Sequence, residues 1–362
     1  MAEILRKTDP FAAAPDTAED ARYMRMALEE AKKGAGTTSP NPLVGAVVVR
    51  GGEVLGRGFH ARCGGDHAEV NALRQVFEQK KSAQFATLYV TLEPCSTIGR
   101  TPPCTELIKG TMIRRVVIGT LDPNPKHNGR AVEILERAGI EVKVGVEEAA
   151  CRDLNAPFFR WITTGKPLVV LKMAQTLDGK IADTSGNACW ITGEGARARV
   201  QELRRRADAV LVGANTLRMD YPHLTCRRSD GQVVQEHKLR RFVASTKLTA
   251  EEARSLIGDH GEVEVVDLSS PQKWQDFLQK LGQENVTMLL LEGGAGLAAS
   301  AVRAGVVDRY EFHLAPKVLG GAAKNVLADC GISQLNDAVK LKFLHTELCG
   351  GDLILTAEPE EA

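Results

Sequence analysis

Nothing in this 362-residue chain offers a membrane anchor: it contains no run of about 18 or more apolar residues, the length a spanning helix requires. Neither sign of charge is in excess, with 46 Lys and Arg against 46 Asp and Glu, so the basic surplus of a general nucleic-acid binder is missing. The N-terminus, MAEILRKTDPFAAAPDTAED, has no long apolar core behind a basic start, and no secretory signal is expected. Eight cysteines are scattered without a dense framework. In a chain with no export signal they read as reduced thiols or metal ligands, and a cytoplasmic location is expected. The G-x-G-x-x-G fingerprint is absent too, which excludes an ordinary Rossmann dinucleotide site.

What is present is a long alternation of strand and helix patterns. Residues 1–16, with two Pro and an Ala run, are expected to form a loose tail. TAEDARYMRMALEEAKKG reads as a helix capped by Thr17, with Asp20 at the capping-box position and Gly34 as its stop. LVGAVVVRGGEVLGRGF reads as a hairpin, and DHAEVNALRQVFEQ as a helix with Asp66 as N-cap. TLYVTL, RRVVIGT and IEVKVG then alternate with helical PCTELIKG and GRAVEILERAG, which implies an α/β sheet with helical crossovers. A helical segment over 147–164 closes the first domain, 17–165. A second α/β domain, 166–362, begins with the strand PLVVLKMA and continues through DAVLVGA, RRFVAS, EVEVV, VTMLLLE, VVDRYEFHLAP and DLILTA.

In the first domain, GGDHAEVNAL places Glu69 two residues after His67, and LEPCSTIGRTPPCTEL supplies Cys95 and Cys104. A catalytic zinc needs three protein ligands and one open position, and His67, Cys95 and Cys104 provide that count. Zinc there acidifies water, and Glu69 is placed to carry the water proton to a leaving nitrogen. The order H-x-E, then P-C, then a second cysteine is that of the zinc deaminases, although here eight residues separate the two cysteines. The plainer alternative is a structural zinc or two buried thiols, with Cys63 as the nearest fourth ligand.

The motifs SPNPLVGAVVV, HAEV, LEPCSTIGRTPPC and LDPNP resemble the deaminase half of the bifunctional deaminase/reductase family of riboflavin biosynthesis. LKMAQTLDGKIA, WITGE, AVLVGANTLRMDYPHLT and LEGGAGL resemble its reductase half. The resemblance runs from about residue 20 to about residue 358. It implies a cytidine-deaminase-like first domain, a dihydrofolate-reductase-like second domain, and a diaminopyrimidinone substrate carrying a phosphoribosylamino group. It also implies substrate contacts by Asn41 and His60, the latter otherwise a surface-loop histidine. Arg100 suits a phosphate. The family usually has His two residues after the first zinc cysteine, where this chain has Thr97.

For the second domain the resemblance implies reduction of the open ribose carbonyl by NADPH. Ala174, Trp190, Thr216, Asp220, Ser245, Gly294, Ala295 and Gly296 fall at cofactor-contacting positions, and Arg204, Leu224, Arg227 and Glu292 at substrate positions. Ala188 stands where many relatives have Ser. The Gly-Gly-Ala-Gly turn after VTMLLLE can hold a phosphate at the helix start, or be only a tight turn. Arg204, in LRRRAD, has a solvated helix face as its alternative reading. Carbonyl reduction needs a group that stabilises the developing alkoxide; Lys172, at a strand end in VLKMA, and Glu292 are the candidates, with a structural ion pair as the alternative for Lys172.

The expected function is deamination followed by reduction of one intermediate by a homo-oligomer. A zinc deaminase of free nucleosides or nucleotides joined to an unrelated NADPH reductase remains open. A zinc-stabilised nucleic-acid module is disfavoured by the zero net charge and by Glu69 beside the metal ligands; salt-dependent RNA binding without ammonia release marks that reading.

Overall fold

The computed structural model describes residues 17–97, 102–188, 190–228, 230–234, 237–258 and 261–360. Its internal contacts divide the chain into two compact units between Thr163 and Thr164.

The first unit is a five-stranded sheet in the order β2-β1-β3-β4-β5. Its strands are β1 (Gly45–Arg50), β2 (Glu53–Phe59), β3 (Thr87–Leu92), β4 (Arg115–Thr120) and β5 (Glu141–Val144). β1 and β2 form the expected hairpin, and Gly51 and Gly52 turn it with φ of +58° and +83°, values glycine adopts without strain. β1 also pairs antiparallel with β3, and β3, β4 and β5 run parallel. The helices are α1 (Ala18–Lys32), α2 (Ala68–Glu78), α3 (Cys104–Gly110), α4 (Arg130–Arg137), α5 (Glu148–Leu154) and α6 (Ala156–Thr164).

Strand alternation distributes side chains between two cores. Ala46, Val48, Leu88, Val90, Val116 and Ile118 pack with Ala72, Leu73 and Val76 of α2, Ile108 of α3 and Leu135 of α4. Val47, Val49, Tyr89 and Val117 point the other way, onto Tyr23, Met24 and Ala27 of α1 and Cys151 of α5. Strands covered on both faces read as the continuous apolar runs seen in the sequence.

Three local expectations are corrected. Thr17 does cap α1, accepting from the Asp20 amide at 3.0 Å, but Asp20 completes no capping box. Its buried carboxylate takes a bidentate pair from Arg115 at 2.7 and 3.0 Å and the Tyr89 hydroxyl at 3.0 Å. Gly34 is not a left-handed stop: Lys33 caps α1 in right-handed geometry, and Gly34 lies where a Cβ would strike the His60 carbonyl. The N-cap of α2 is His67 rather than Asp66, whose carboxylate pairs with Arg74 instead.

The second unit holds an eight-stranded sheet in the order β10-β9-β8-β11-β6-β12-β15-β14. In chain order its strands are β6 (Leu168–Thr176), β7 (Lys180–Ala182), β8 (Ala209–Gly213), β9 (Arg240–Ala244), β10 (Glu264–Val266), β11 (Met288–Glu292), β12 (Arg309–Ala315), β13 (Lys324–Asn325), β14 (Leu341–Cys349) and β15 (Asp352–Pro359). β7 and β13 form a small separate ribbon. From β10 to β12 neighbours are parallel; β12–β15 and β15–β14 are antiparallel. The helices are α7 (Glu194–Arg206), α8 (Ala214–Asp220), α9 (Ala250–Ile257), α10 (Pro271–Gln283) and α11 (Ala295–Arg303).

α10 shows how its local sequence dictates a helix. Ser270 caps it, Pro271 opens it, and Trp274, Phe277, Leu278 and Leu281 form one buried stripe. That stripe and Leu297, Ala298 and Ala301 of α11 cover Val169, Leu171 and Met173 of β6 and Leu289 and Leu291 of β11. β6 runs on to Thr176, so Lys172 sits in mid-strand rather than at its end.

The Asp20–Arg115 pair yields a test. Burial alone would raise the Asp20 carboxyl, but hydrogen bonds from Arg115 and Tyr89 hold it down at about 2. Arg115→Met removes the bidentate partner and leaves the buried carboxylate to Tyr89 and to Lys143 at 3.4 Å, and should cost about 2 kcal/mol, read from urea denaturation at pH 7. A depressed carboxyl stabilises the fold above its unfolded pKa. The gap between the two proteins should therefore close as pH falls from 3.8 toward about 2.

Candidate functional site

In the first unit the reactive groups gather where β3 and β4 end and α2 and α3 begin. His67 is the extended N-cap of α2, and Glu69 lies in the helix's first turn, buried. Cys95 follows β3, and Cys104 opens α3. The His67 Nδ1 is 3.5 Å from the Cys95 sulfur and 3.3 Å from the Cys104 sulfur, and the Cys104 amide donates to the Cys95 sulfur at 3.2 Å. These three donors lie within 4.8 Å of one another, and Cys63, which is exposed, is not among them.

The donor set fits zinc. Zinc–nitrogen and zinc–sulfur bonds of ordinary length put tetrahedral ligand atoms about 3.6 Å apart, close to the separations found. The thiols are driven in opposite directions. Hydrogen bonding to Cys104 pulls Cys95 down to about 4, while the same bond and burial push Cys104 up. A divalent cation bound by both sulfurs would favour their thiolate forms. Glu69 is in the same cluster: its carboxylate meets the Cys104 thiol, and burial raises it above the ordinary carboxylate range.

Asn41 and His60 are joined to this cluster. The Asn41 Nδ2 is 3.1 Å from the His60 Nε2, and the His60 Nδ1 is 3.0 Å from the Asp66 carbonyl. The His60 ring meets the His67 ring edge-on at 5.5 Å. His60 is therefore no surface-loop residue; it is buried, and burial lowers its pKa so that it stays neutral. Thr97 is exposed, and its neighbour Ser96 lies 3.3 Å from His127. Arg100 lies outside the described residues.

Glu93, two residues before Cys95, was passed over in the sequence. Its buried carboxylate accepts the amides of Asp122 at 3.1 Å, Gly129 at 2.9 Å and Ala131 at 2.9 Å. It ties the loop after β4 to the cysteine loop after β3. The signal was a charged residue ending an otherwise apolar strand, which burial forces to find partners.

The second unit assembles its groups at the carboxyl ends of parallel strands, where α/β sheets bind ligands. Thr216 follows β8, Ser245 follows β9 and Gly294 follows β11. Gly293 and Gly294 have φ of +75° and +83°, and a Cβ on Gly294 would lie 3.0 Å from the Thr216 hydroxyl. Gly294 caps α11, so Ala295 and Gly296 form that helix's first turn. Ser245 accepts the amides of Lys247 and Leu248 at 3.1 and 2.9 Å. Trp190 is 69% exposed with the Arg197 guanidinium 4.6 Å over its ring. Asp220 ends α8, and its carboxyl is raised by burial.

Across the sheet, Glu292 of β11 is the register partner of Lys172 of β6, and Ala174 is two residues further along the same face. Arg204 is not on a solvated face. It is buried, grips Glu292 at 2.6 and 2.8 Å and donates to the Thr225 carbonyl at 3.0 Å. Its guanidinium is thus engaged by Glu292 in the structure as it stands, rather than waiting for a phosphate. Arg227 donates to the Thr225 hydroxyl at 3.2 Å, and Leu224, at a φ of +49°, offers its carbonyl to Arg241. Burial would raise Glu292, but Arg204 holds it low; burial pushes the Lys172 ammonium below its ordinary value against the pull of Glu292. The sequence reading missed Arg199, Glu311 and His313, which lie beside this row.

Residues 17–120 match the family described as the cytidine and deoxycytidylate deaminase zinc-binding region, and residues 167–355 match the RibD C-terminal domain. The riboflavin biosynthesis protein RibD of Actinobacillus pleuropneumoniae is 43% identical over 360 residues, covering 94% of this chain and 95% of that protein. RibD of Escherichia coli is 35% identical over 364 residues, covering 93% and 98%. Among solved structures, a diaminohydroxyphosphoribosylaminopyrimidine deaminase/5-amino-6-(5-phosphoribosylamino)uracil reductase from Thermotoga maritima is similar with a TM-score of 0.80 and 35% identity, covering 94% of this chain and 99% of that one. RibD of Acinetobacter baumannii gives 0.79 and 34%, covering 95% and 99%.

The three-donor cluster predicts one zinc per chain. Cys95→Ala and Cys104→Ala should each bring the metal content, read by atomic absorption, close to background. Cys63→Ala should leave it unchanged.

Proposed function

Since the chain belongs to the RibD family of riboflavin-biosynthesis proteins, we propose that the His67–Cys95–Cys104 cluster and the Lys172–Glu292 row are its two reaction centres. The chain is a bifunctional enzyme with a cytidine-deaminase-like domain and a dihydrofolate-reductase-like domain. It uses zinc to deaminate 2,5-diamino-6-(5-phosphoribosylamino)pyrimidin-4-one and NADPH to reduce the ribosyl group to ribityl, giving 5-amino-6-(5-phosphoribitylamino)uracil.

One observation carries the assignment of the first centre: a buried carboxylate, Glu69, touches one sulfur of a three-donor metal cluster and is not itself part of that donor set. Zinc held by His67, Cys95 and Cys104 supplies the Lewis acidity that brings water near its deprotonation point at neutral pH. Glu69 takes the proton of the attacking water and delivers it to the departing amine, leaving a ring carbonyl and ammonia. Its raised pKa suits both halves of that transfer. Asn41 and His60, fixed to each other beside His67, orient the pyrimidine, and Arg100 receives the phosphate.

In the second centre the hydride comes from NADPH. Gly294, Ala295 and Gly296, with Thr216 and Ser245, hold its phosphates; Ala174, Trp190 and Asp220 complete the cofactor contacts. Lys172 meets the carbonyl oxygen, and Arg204 keeps Glu292 charged and aligned. Leu224 and Arg227 border the substrate. No described helix is long and apolar enough to cross a membrane, and we place the enzyme in the cytoplasm as a homo-oligomer. The support for assembly is β14, an edge strand whose Phe343 and Leu348 are 67% and 78% exposed; such edges are ordinarily covered.

Glu69→Gln should lower ammonia release by about 10²–10⁴-fold while NADPH oxidation on the already deaminated substrate is nearly unchanged. Lys172→Met should do the reverse. If either variant, with zinc content retained, lost both activities equally, the two-centre assignment would fail. Phe343→Lys with Leu348→Lys should reduce the sedimenting mass; an unchanged mass places the interface elsewhere.

A further inference from the structure

Lys172 does not face Glu292 alone. On its other side, in register on β12, is Glu311, 2% exposed and held on two sides. The Arg199 Nε and Nη2 donate to its oxygens at 3.2 and 3.4 Å, and the His313 Nε2 lies 2.9 Å from its Oε1. A carboxylate accepts, so His313 carries its proton on Nε2. Its Nδ1 is left bare, buried and without a partner among the described residues. Burial pushes its pKa below the ordinary imidazole value, against the pull of Glu311. The charged groups acting on Lys172 are thus Glu292 from β11, Glu311 from β12 and Arg204 from α7, while Arg199 pairs with Glu311.

A buried arrangement of this kind is a costly way to fill a sheet face. Apolar residues of similar size would serve stability as well or better, and a fully buried histidine whose second nitrogen goes unsatisfied adds to the cost. What the arrangement does accomplish is to fix one carboxylate on the flank of Lys172 opposite Glu292. A lysine in a desolvated site tends to lose its proton. With Arg204 also acting on Lys172, Glu292 alone leaves a surplus of positive charge, and Glu311 offsets it.

We propose that Glu311, fixed by Arg199 and His313, is a positioning residue of the reductase centre that keeps Lys172 protonated and centred between two carboxylates. The inference rests on the reading of Lys172 as the group that meets the carbonyl. As the carbonyl carbon accepts hydride, the π pair moves to oxygen. That oxygen takes a proton from the Lys172 ammonium, and solvent restores it. Glu311 touches none of the reacting atoms and acts only through Lys172.

The test is the pH profile of kcat/KM for NADPH oxidation on the deaminated substrate, paired with NMR titration of Lys172 in enzyme carrying ¹³Cε-lysine, assigned by Lys172→Met. Lys172 works while protonated, so activity is present below its pKa and lost above it. Glu311→Gln removes an attracting charge, and the alkaline limb and the NMR midpoint should both move down by about 1–3 pH units. Glu311→Asp retains the charge and should largely restore both. Arg199→Met loosens Glu311 and removes the cation that holds its carboxyl low, so both should move down, by less than in Glu311→Gln, and it carries the test if Glu311→Gln does not fold. An unmoved NMR midpoint in Glu311→Gln, or equal shifts in Glu311→Gln and Glu311→Asp, overturns the proposal. If Lys172→Met keeps full reductase activity, the catalytic reading of Lys172 falls instead, and the NMR midpoints still decide whether Glu311 sets its charge.

Discussion

A carboxylate taken out of water must be paired, and this one requirement shapes both halves of the chain. Asp20 meets it with Arg115 and Tyr89, tying α1 to β3 and β4. Glu93 meets it with three backbone amides, drawing the loop after β4 over the cysteine loop. Glu292 meets it with Arg204, pinning α7 to the second sheet. Each pair joins segments remote in sequence, and each lies where strands end or helices dock. Glu69 is the exception, and its difference is informative. Among the described residues it has neither an arginine nor a lysine partner nor the three backbone amides that satisfy Glu93, and it is left able to carry a proton.

The two centres solve one electrostatic problem with different materials. Both must stabilise negative charge that appears on an oxygen. The first concentrates two sulfurs and a nitrogen within 4.8 Å of one another, a spacing that suits a cation. The second spreads alternating charges along one face of a sheet, with the ammonium in the middle. The first therefore depends on a few ångströms of loop geometry, and the second on strand register.

Much of this was legible before any coordinates. The hairpin around Gly51-Gly52, the stripe of α10 and the buried runs of β3, β4 and β11 are local patterns whose periodicity fixes the element. The metal cluster was legible because its residue types are few and their order is distinctive. Errors arose where a side-chain ion pair displaced a cap: Asp20 turned to the distant Arg115, and Asp66 yielded the cap position to His67 and paired with Arg74 of the same helix. Arg204 looked solvated because LRRRAD is uniformly charged, and its partner Glu292 lies 88 residues away. β14 escaped notice because it buries neither face, so no alternation marks it. Glu311 and His313 sit in VVDRYEFHLAP, which reads simply as a strand; only the neighbouring register with Lys172 gives them meaning.

That register has a bearing on how the second unit finds its native pairing. Val169, Leu171 and Met173 of β6 face Trp274, Phe277 and Leu278, while Lys172 faces the charged side. Sliding β6 by one residue would exchange these two sets. It would drive an ammonium into the aromatic layer and set Leu171 or Met173 between two glutamates. The parallel strands around it are short and rich in Val and Leu, and hydrophobic pattern alone distinguishes weakly among their alignments. The charged row thus works as a proofreading key during folding, penalising misaligned sheets that apolar packing by itself would tolerate.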